Sequence, residues 1–206
     1  IRAVWIYKAA IVGVLILCLC VLSFGLTVLL HREVGRHVAA EASTREANAA
    51  LAVLARTDGL TGLPNRRSYD EHFAVEWKRA AQLRTPLALM IVDADHFKQF
   101  NDEFGHFEGD LLLSGFAATA RDVLRDRDVL ARWGGEEFAI ALPDCDLTDG
   151  KMVLERIRAC VPAGRTCSIG FATLHPDESV GDCMRRADEA LYRAKSRGRD
   201  RIEFSH

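Results

Sequence analysis

Hydrophobic positions change their spacing several times along the chain, and each change predicts a different element. From Ala9 to Leu30 there are 22 residues without a charge. As a helix rising about 1.5 Å per residue, this run spans roughly 33 Å, enough to cross a hydrocarbon layer about 30 Å thick. Lys8 precedes it, His31 and Arg32 follow it, and Trp5 and Tyr7 fall where an interfacial aromatic belt would lie. A cleaved signal peptide would have a shorter apolar core, about 7–15 residues, and then a small-residue cleavage site. This run ends in Leu29-Leu30-His31-Arg32, which favours a retained transmembrane helix over 9–30 behind a short flank, 1–8. The chain opens on Ile1 rather than Met, so further sequence upstream is expected.

From His31 to Thr57 the chain is Ala-rich, with no Pro and one Gly, and favours helix. Val34 and Val38, then Leu51 and Leu54, stand at helical spacing, but polar residues interrupt any heptad. A stalk continuing from the membrane helix is expected, either as a weak coiled coil or as a solvated spacer. At Asp58-Gly-Leu-Thr-Gly-Leu-Pro-Asn65 turn formers accumulate and mark the start of a domain over 58–206.

Inside that domain the period alternates. Helical patterning covers 66–83. Pro86 opens the apolar run Leu87 to Val92, which reads as a buried strand ending in Asp93-Ala94-Asp95. Helical patterning resumes from Gly109 to Arg125. Two short apolar runs, Val129–Trp133 and Phe138–Leu142, flank Gly134-Gly-Glu-Glu137 and predict a hairpin. A helix over 148–161, a strand over 166–173, a helix over 180–196 and a closing strand over 201–204 complete the pattern. Alternation of this kind predicts one α/β domain, without internal repeats, behind one membrane helix.

Charge adds one exclusion. Lys and Arg number 27 against 29 Asp and Glu, a net −2, which argues against a general nucleic-acid-binding surface. Hydrophobic residues at 49% against 27% charged place the chain among globular proteins rather than disordered ones. Of six cysteines, Cys18 and Cys20 lie in the apolar run. Cys145, Cys160, Cys167 and Cys183 lack metal-binding spacing and are expected as small buried hydrophobes in a reducing compartment.

Two places bring carboxylates to strand ends. Asp93 follows a buried strand, with Asp95 two residues on and on the same face if the strand continues. Glu136 and Glu137 sit at a hairpin tip whose glycines permit positive φ and close ligand approach. Converging carboxylates repel one another unless a cation neutralises them, and oxygen-only ligands suit Mg²⁺ shared with substrate phosphates. Lys98, Lys195 and Arg199 are candidate phosphate partners, each with solvated cation as the bland alternative. Asn101 and Asp110 are candidates for a purine edge, Asp being suited to the paired N–H donors of guanine. His96 reads as structural, and His106 stands evenly between structure and substrate.

Six blocks then occur in order: Asp58-Gly-Leu-Thr-Gly-Leu-Pro-Asn-Arg-Arg67, Asp93-Ala-Asp-His-Phe-Lys-Gln-Phe-Asn-Asp102, Gly105-His-Phe-Glu-Gly-Asp110, Arg132-Trp-Gly-Gly-Glu-Glu-Phe138, Ser168-Ile-Gly170 and Ala187-Asp-Glu-Ala-Leu-Tyr-Arg-Ala-Lys195. Together they resemble the signature of GGDEF-family diguanylate cyclases, in the GGEEF form, over roughly 57–205. The resemblance implies a palm-like fold akin to nucleotidyl cyclases, with a central, mainly antiparallel sheet flanked by helices. It implies condensation of two GTP into cyclic di-GMP with release of two pyrophosphates.

Residue by residue, the resemblance implies magnesium (or Mn²⁺) held by Asp93 and Glu136 side chains and by the Ala94 carbonyl. Glu137 would act as ligand or base, a division left open. Phe97, Lys98, Lys195 and Arg199 would meet the phosphates. Asn101 and Asp110 would recognise guanine, with His106 in the same block. Each domain would hold one GTP, so a homodimer would be required, and the membrane helix and stalk would raise the partners' effective concentration. Arg125-x-x-Asp128 resembles the family's inhibitory site for cyclic di-GMP, with Arg79 and Arg156 as its secondary arginines. Its rival is an exposed charged turn.

The connection between the helix ending near Val161 and Ser168, which carries Arg165, is shorter than in many relatives. Arg32, Arg36 and Arg45 follow the apolar run closely enough to mark the cytoplasmic side of a bacterial inner membrane. The rival functions are a non-catalytic receptor for cyclic di-GMP or GTP, a cyclase with a different cyclic product, and a dimerising membrane scaffold. Retention of Asp93, Glu136 and Glu137 disfavours the receptor.

Overall fold

A computed structural model of the chain describes Ser23, His31, 56–175 and 178–205. The expected membrane helix and most of the expected stalk therefore lie outside the described residues. Among those described, no helix is long and apolar enough to cross a membrane. The chain divides into two units, 1–53 and 54–206, and all elements below belong to the second.

Arg56 lies in a turn and Thr57 bridges Pro64, so helix does not run to Thr57 as the composition suggested. Helix α1 (Arg66–Leu83) starts where the Asn65 side chain accepts the Ser68 N–H. Strand β1 (Leu87–Ala94) leads into α2 (Phe97–Phe104) and α3 (His106–Val123). Strands β2 (Val129–Gly134) and β3 (Glu137–Pro143) form the expected hairpin. Helix α4 (Leu147–Arg158), β4 (Cys167–Thr173), α5 (Val180–Ser196) and β5 (Ile202–Phe204) follow.

The five strands form one sheet in the order β2-β3-β1-β4-β5. Three neighbouring pairs are antiparallel and β4–β5 is parallel, so the sheet is mixed. The central strand explains its own apolar run, because both of its faces are buried. Ala88, Met90 and Val92 pack with Leu112, Leu113 and Phe116 of α3 and with Leu154 and Ile157 of α4. Leu87, Leu89 and Ile91 pack with Tyr69 and Phe73 of α1 and with Cys183, Ala187 and Leu191 of α5. Alternation within the strand thus feeds two cores.

Helix α5 lies unusually close to the sheet. A Cβ on Gly170 of β4 would collide with the Ala187 carbonyl and the Leu191 amide, so only glycine admits the helix there. This approach brings the last turn of α5, with Lys195, to the end of β1.

One element was not anticipated. Helix α2 occupies a stretch before Gly109 for which the sequence pattern predicted no element. It begins after His96, at φ +58, and buries only Phe100. The Phe97, Phe100 and Phe104 spacing was its signal, masked by the polar residues between. The short connection before β4 turns through Ala163 and Gly164, both at positive φ, and Arg165 stacks 4.8 Å from the Phe100 ring centroid. Cys145, Cys167 and Cys183 are buried, Cys160 is half-buried, and all four are free thiols. Burial pushes the Cys145 and Cys183 thiols up to about 11, which leaves them unreactive at neutral pH.

Candidate active site

Strand register brings the acidic residues together. Asp93 pairs across the sheet with Glu137 on β3 and with Ser168 on β4. The hairpin turn is Gly135-Glu136, with Gly135 at φ +51, and the Ala94 N–H donates to the Glu136 carbonyl at 3.3 Å. Asp93 is 5% exposed, and its Oδ2 accepts a hydrogen bond from Lys195 Nζ at 2.7 Å. Burial raises the Asp93 pKa to about 6; Lys195 opposes this, and the Glu136 and Glu137 charges reinforce it.

The hairpin tip is braced from outside. Arg132 Nε and Nη2 donate to the Gly135 carbonyl at 3.0 and 2.7 Å. Its Nη1 lies 3.2 Å from each oxygen of Asp58. Asp58 in turn accepts from the Thr61 N–H and hydroxyl at 2.9 and 2.7 Å, closing the Asp58–Asn65 turn. Burial works to raise Asp58, but the hydrogen bonds from Thr61 and Arg132 outweigh it and hold the carboxyl below its ordinary value. The sequence marked the Asp58 block as a boundary and, with the Arg132 block, as part of a family signature, but it gave Asp58, Thr61 and Arg132 no role as supports of the acidic tip.

Asp95 differs from expectation. The strand ends at Ala94, so Asp95 does not continue the Asp93 face. It is buried and accepts from Ser168 Oγ, Thr166 Oγ1 and the Asp200 N–H at 2.6, 2.7 and 3.0 Å. His96 is exposed and takes part through its backbone, accepting the Phe100 N–H at 2.9 Å.

The purine candidates gather at the α2–α3 junction. Asn101 Oδ1 is buried and has no hydrogen-bond partner. It lies against Gly109, where a Cβ would collide with it, and the Phe97 ring closes the same corner. Asp110 and His106 are exposed on the first turns of α3, and Lys98 is exposed on α2. A buried acceptor without a donor is costly unless a ligand provides one.

The donor set suits a hard divalent cation: the Asp93 and Glu136 carboxylates, Glu137 and the Ala94 carbonyl are all oxygen ligands. Among the described residues no group of three or more His, Cys, Asp or Glu side chains is gathered closely enough to hold a metal by itself.

The second candidate region lies elsewhere. The Arg125 N–H donates to Asp128 Oδ2 at 2.8 Å and the Asp128 N–H to the Arg125 carbonyl at 2.9 Å, a closed turn. Burial raises the Asp128 carboxyl against the influence of Arg125 and Arg127. Arg125 and Asp128 line a groove of about 390 Å³, and Arg79 lines one of about 480 Å³. The two share His72, Asp126 and Val129. Arg156, exposed on α4, lines neither.

This chain resembles known proteins across the same region. Diguanylate cyclase DgcP of Pseudomonas aeruginosa is 43% identical over 161 residues, 73% of this chain and 24% of that protein. The response regulator PleD of Caulobacter vibrioides is 39% identical over 162 residues, 72% of this chain and 36% of its own. The chain thus spans well under half the length of these two relatives. The coiled coil and GGDEF domain of DgcB from Caulobacter crescentus, solved in complex with c-di-GMP, superposes with a TM-score of 0.79 at 32% identity. That match covers 85% of this chain and 99% of the other. The active GGEEF domain of a Vibrio cholerae diguanylate cyclase gives 0.66 at 34% identity, over 69% and 97%. Residues 55–201 match the profile described as "Diguanylate cyclase, GGDEF domain". With the acidic strand end, the braced hairpin and the mixed palm-like sheet in place, the chain belongs to the GGDEF-domain family of diguanylate cyclases.

Proposed function

We propose that this chain condenses two GTP into cyclic di-GMP with release of two pyrophosphates, as a Mg²⁺-dependent homodimer. The observation that carries the proposal is the β1–β3 register, which sets Asp93 opposite Glu137 with Glu136 at the adjoining turn. A divalent ion bound there would lower the pKa of the attacking 3′-hydroxyl and offset charge on the α-phosphate. Asp93, Glu136 and the Ala94 carbonyl hold that ion, and Glu137 serves as a further ligand or as proton acceptor. Lys195, Lys98 and Arg199 bind and orient the triphosphate, and Phe97 lines the cleft. Asn101 Oδ1 receives a guanine N–H, with Asp110 taking the paired donors and His106 at the rim.

One such guanine subsite per domain means that a product with two guanines needs two copies. Arg125 and Asp128, with Arg79 and Arg156, bind the product and slow the enzyme. The run 9–30 anchors the chain in a bacterial inner membrane, and 31–57 carries the domain on its cytoplasmic side. Incubating the full chain with GTP and Mg²⁺ and separating products by chromatography tests the activity. Cyclic di-GMP from the wild type and none from Asp93→Asn is the expected result; a wild type that makes none refutes it. A reporter fused after Ser205 that is active only outside the cytoplasm refutes the topology.

A further inference from the structure

Asp95 is a second buried carboxylate at the end of β1, 4% exposed, and the proposed chemistry does not use it. Two of its three hydrogen bonds come from the entrance to β4, Thr166 and Ser168. The third comes from the Asp200 N–H, in the segment after α5. That segment is strained: Gly198, Arg199 and Asp200 stand at φ +112, +63 and +44, a region that Arg and Asp rarely enter. Such a turn persists only when its surroundings hold it. The Arg199 N–H donates to the Ala194 carbonyl at 3.0 Å, and Arg158 grips Asp200 Oδ1 at 2.6 Å.

The neighbouring cations are engaged within the domain. Lys195 pairs with Asp93, Arg197 with Glu203, and Arg201 donates to the Arg199 carbonyl. Among the described residues, no hydrogen bond or ion pair involves the Arg199 guanidinium. Two carboxylates two residues apart therefore hold the two ends of one segment, Asp93 at Lys195 and Asp95 at Asp200. Arg199 stands between them, its guanidinium without a partner among the described residues.

Resting on the proposed function, we propose that Asp95 is a positioning residue for the substrate triphosphate. Through the Asp200 backbone it holds the left-handed turn that presents Arg199. GTP affinity, rather than the chemical step, depends on it.

Steady-state kinetics of the full chain with GTP test this. Asp95→Asn keeps the shape but puts an amide donor where an N–H and hydroxyls donate. It is expected to raise KM about tenfold with kcat within about twofold of wild type. Arg199→Ala is expected to raise KM similarly. The double variant should be no worse than Arg199→Ala alone, because both changes remove one function.

Gly198→Ala strains the same exposed turn without touching the core. It is expected to repeat the effect and replaces Asp95→Asn if that variant does not fold. A wild-type KM in these turn variants or in Arg199→Ala, or effects that multiply in the double variant, overturns the inference alone. A wild-type chain that makes no cyclic di-GMP refutes the proposed function, and the inference falls with it.

Discussion

Lys195 reaches from the last turn of α5 to Asp93 at the end of β1, closing a 2.7 Å ion pair across 102 positions of sequence. The lysine lowers the Asp93 pKa against burial and against Glu136 and Glu137, leaving it at about 6. Asp93 would have to be ionised to act as the proposed metal ligand. Removing the lysine moves its pKa further up, so the acid limb of kcat/KM should move to higher pH. Lys195→Met is expected to show that displacement together with a raised KM for GTP, and Lys195→Arg to restore much of both. An acid limb that stays in place between pH 5 and 8 contradicts the pairing.

The same shift bears on stability without metal. A carboxyl raised from about 4 to about 6 contributes stability that is fully present below about pH 4. It is lost as pH rises through about 6. Two units correspond to about 3 kcal/mol at most, and the partial access of water to the site reduces this to about 1–2 kcal/mol. In chelator, Asp93→Asn should therefore melt above wild type at pH 7, and the gap should close toward pH 4. Equal melting curves across that range sink the assignment.

The Arg132 brace gives a catalytic expectation without direct contact to the proposed chemistry. Its guanidinium joins Asp58 to the Gly135 carbonyl beside Glu136. Arg132→Leu should release the hairpin tip and lower kcat/KM on the order of 10- to 100-fold, because small displacements of catalytic groups have effects of that size. Arg132→Lys should recover little, since one ammonium cannot reproduce the fork. Near-wild-type turnover in Arg132→Leu excludes the brace.

The sequence made the strands legible because β1 carries one continuous apolar run and the hairpin has glycines at its turn. The last helix, 180–196, was legible to the residue, since Ser179 caps it and its buried face repeats at Cys183, Ala187, Ala190, Leu191 and Ala194. Helix α2 was not legible, because eight residues with one buried side chain leave almost no periodic signal. The meeting of Asp93 with Glu136 and Glu137 was legible from a strand end and a hairpin tip that both carry carboxylates. Arg132 and Asp95 were not, because their partners lie 74 and 105 positions away at the farthest, and only the folded sheet brings those groups together.

Gly109 offers a test of the purine corner. A methyl there would strike the Asn101 side chain and stand 3.1 Å from the Phe97 ring, so the Asn101 amide must shift. Gly109→Ala should raise KM for GTP at least about tenfold and narrow the preference for GTP over ATP, because a subsite built on hydrogen bonds discriminates through them. The fold should persist, since the collision lies at the α2–α3 junction and not in the sheet. Unchanged nucleotide preference in a folded Gly109→Ala removes Asn101 from guanine recognition.

Product feedback is the last expectation. Arg125 and Asp128 are tied through their backbones and the Asp128 carboxylate, which leaves the Arg125 guanidinium to the groove that both residues line. Arginine can grip a phosphate or a guanine edge with two parallel bonds. Arg125→Ala should keep the initial rate and abolish the slowing as cyclic di-GMP accumulates, and the inhibition should be non-competitive with GTP because the groove lies apart from Asp93. Arg79→Ala should weaken the inhibition, since Arg79 lines the adjoining groove that shares His72 and Asp126. Arg156 lines neither groove, so Arg156→Ala should matter only where a second copy completes the site, and its effect on cyclic di-GMP binding should vanish on dilution to monomer. Progress curves that remain linear at micromolar product, or that bend identically in Arg125→Ala, exclude the feedback site.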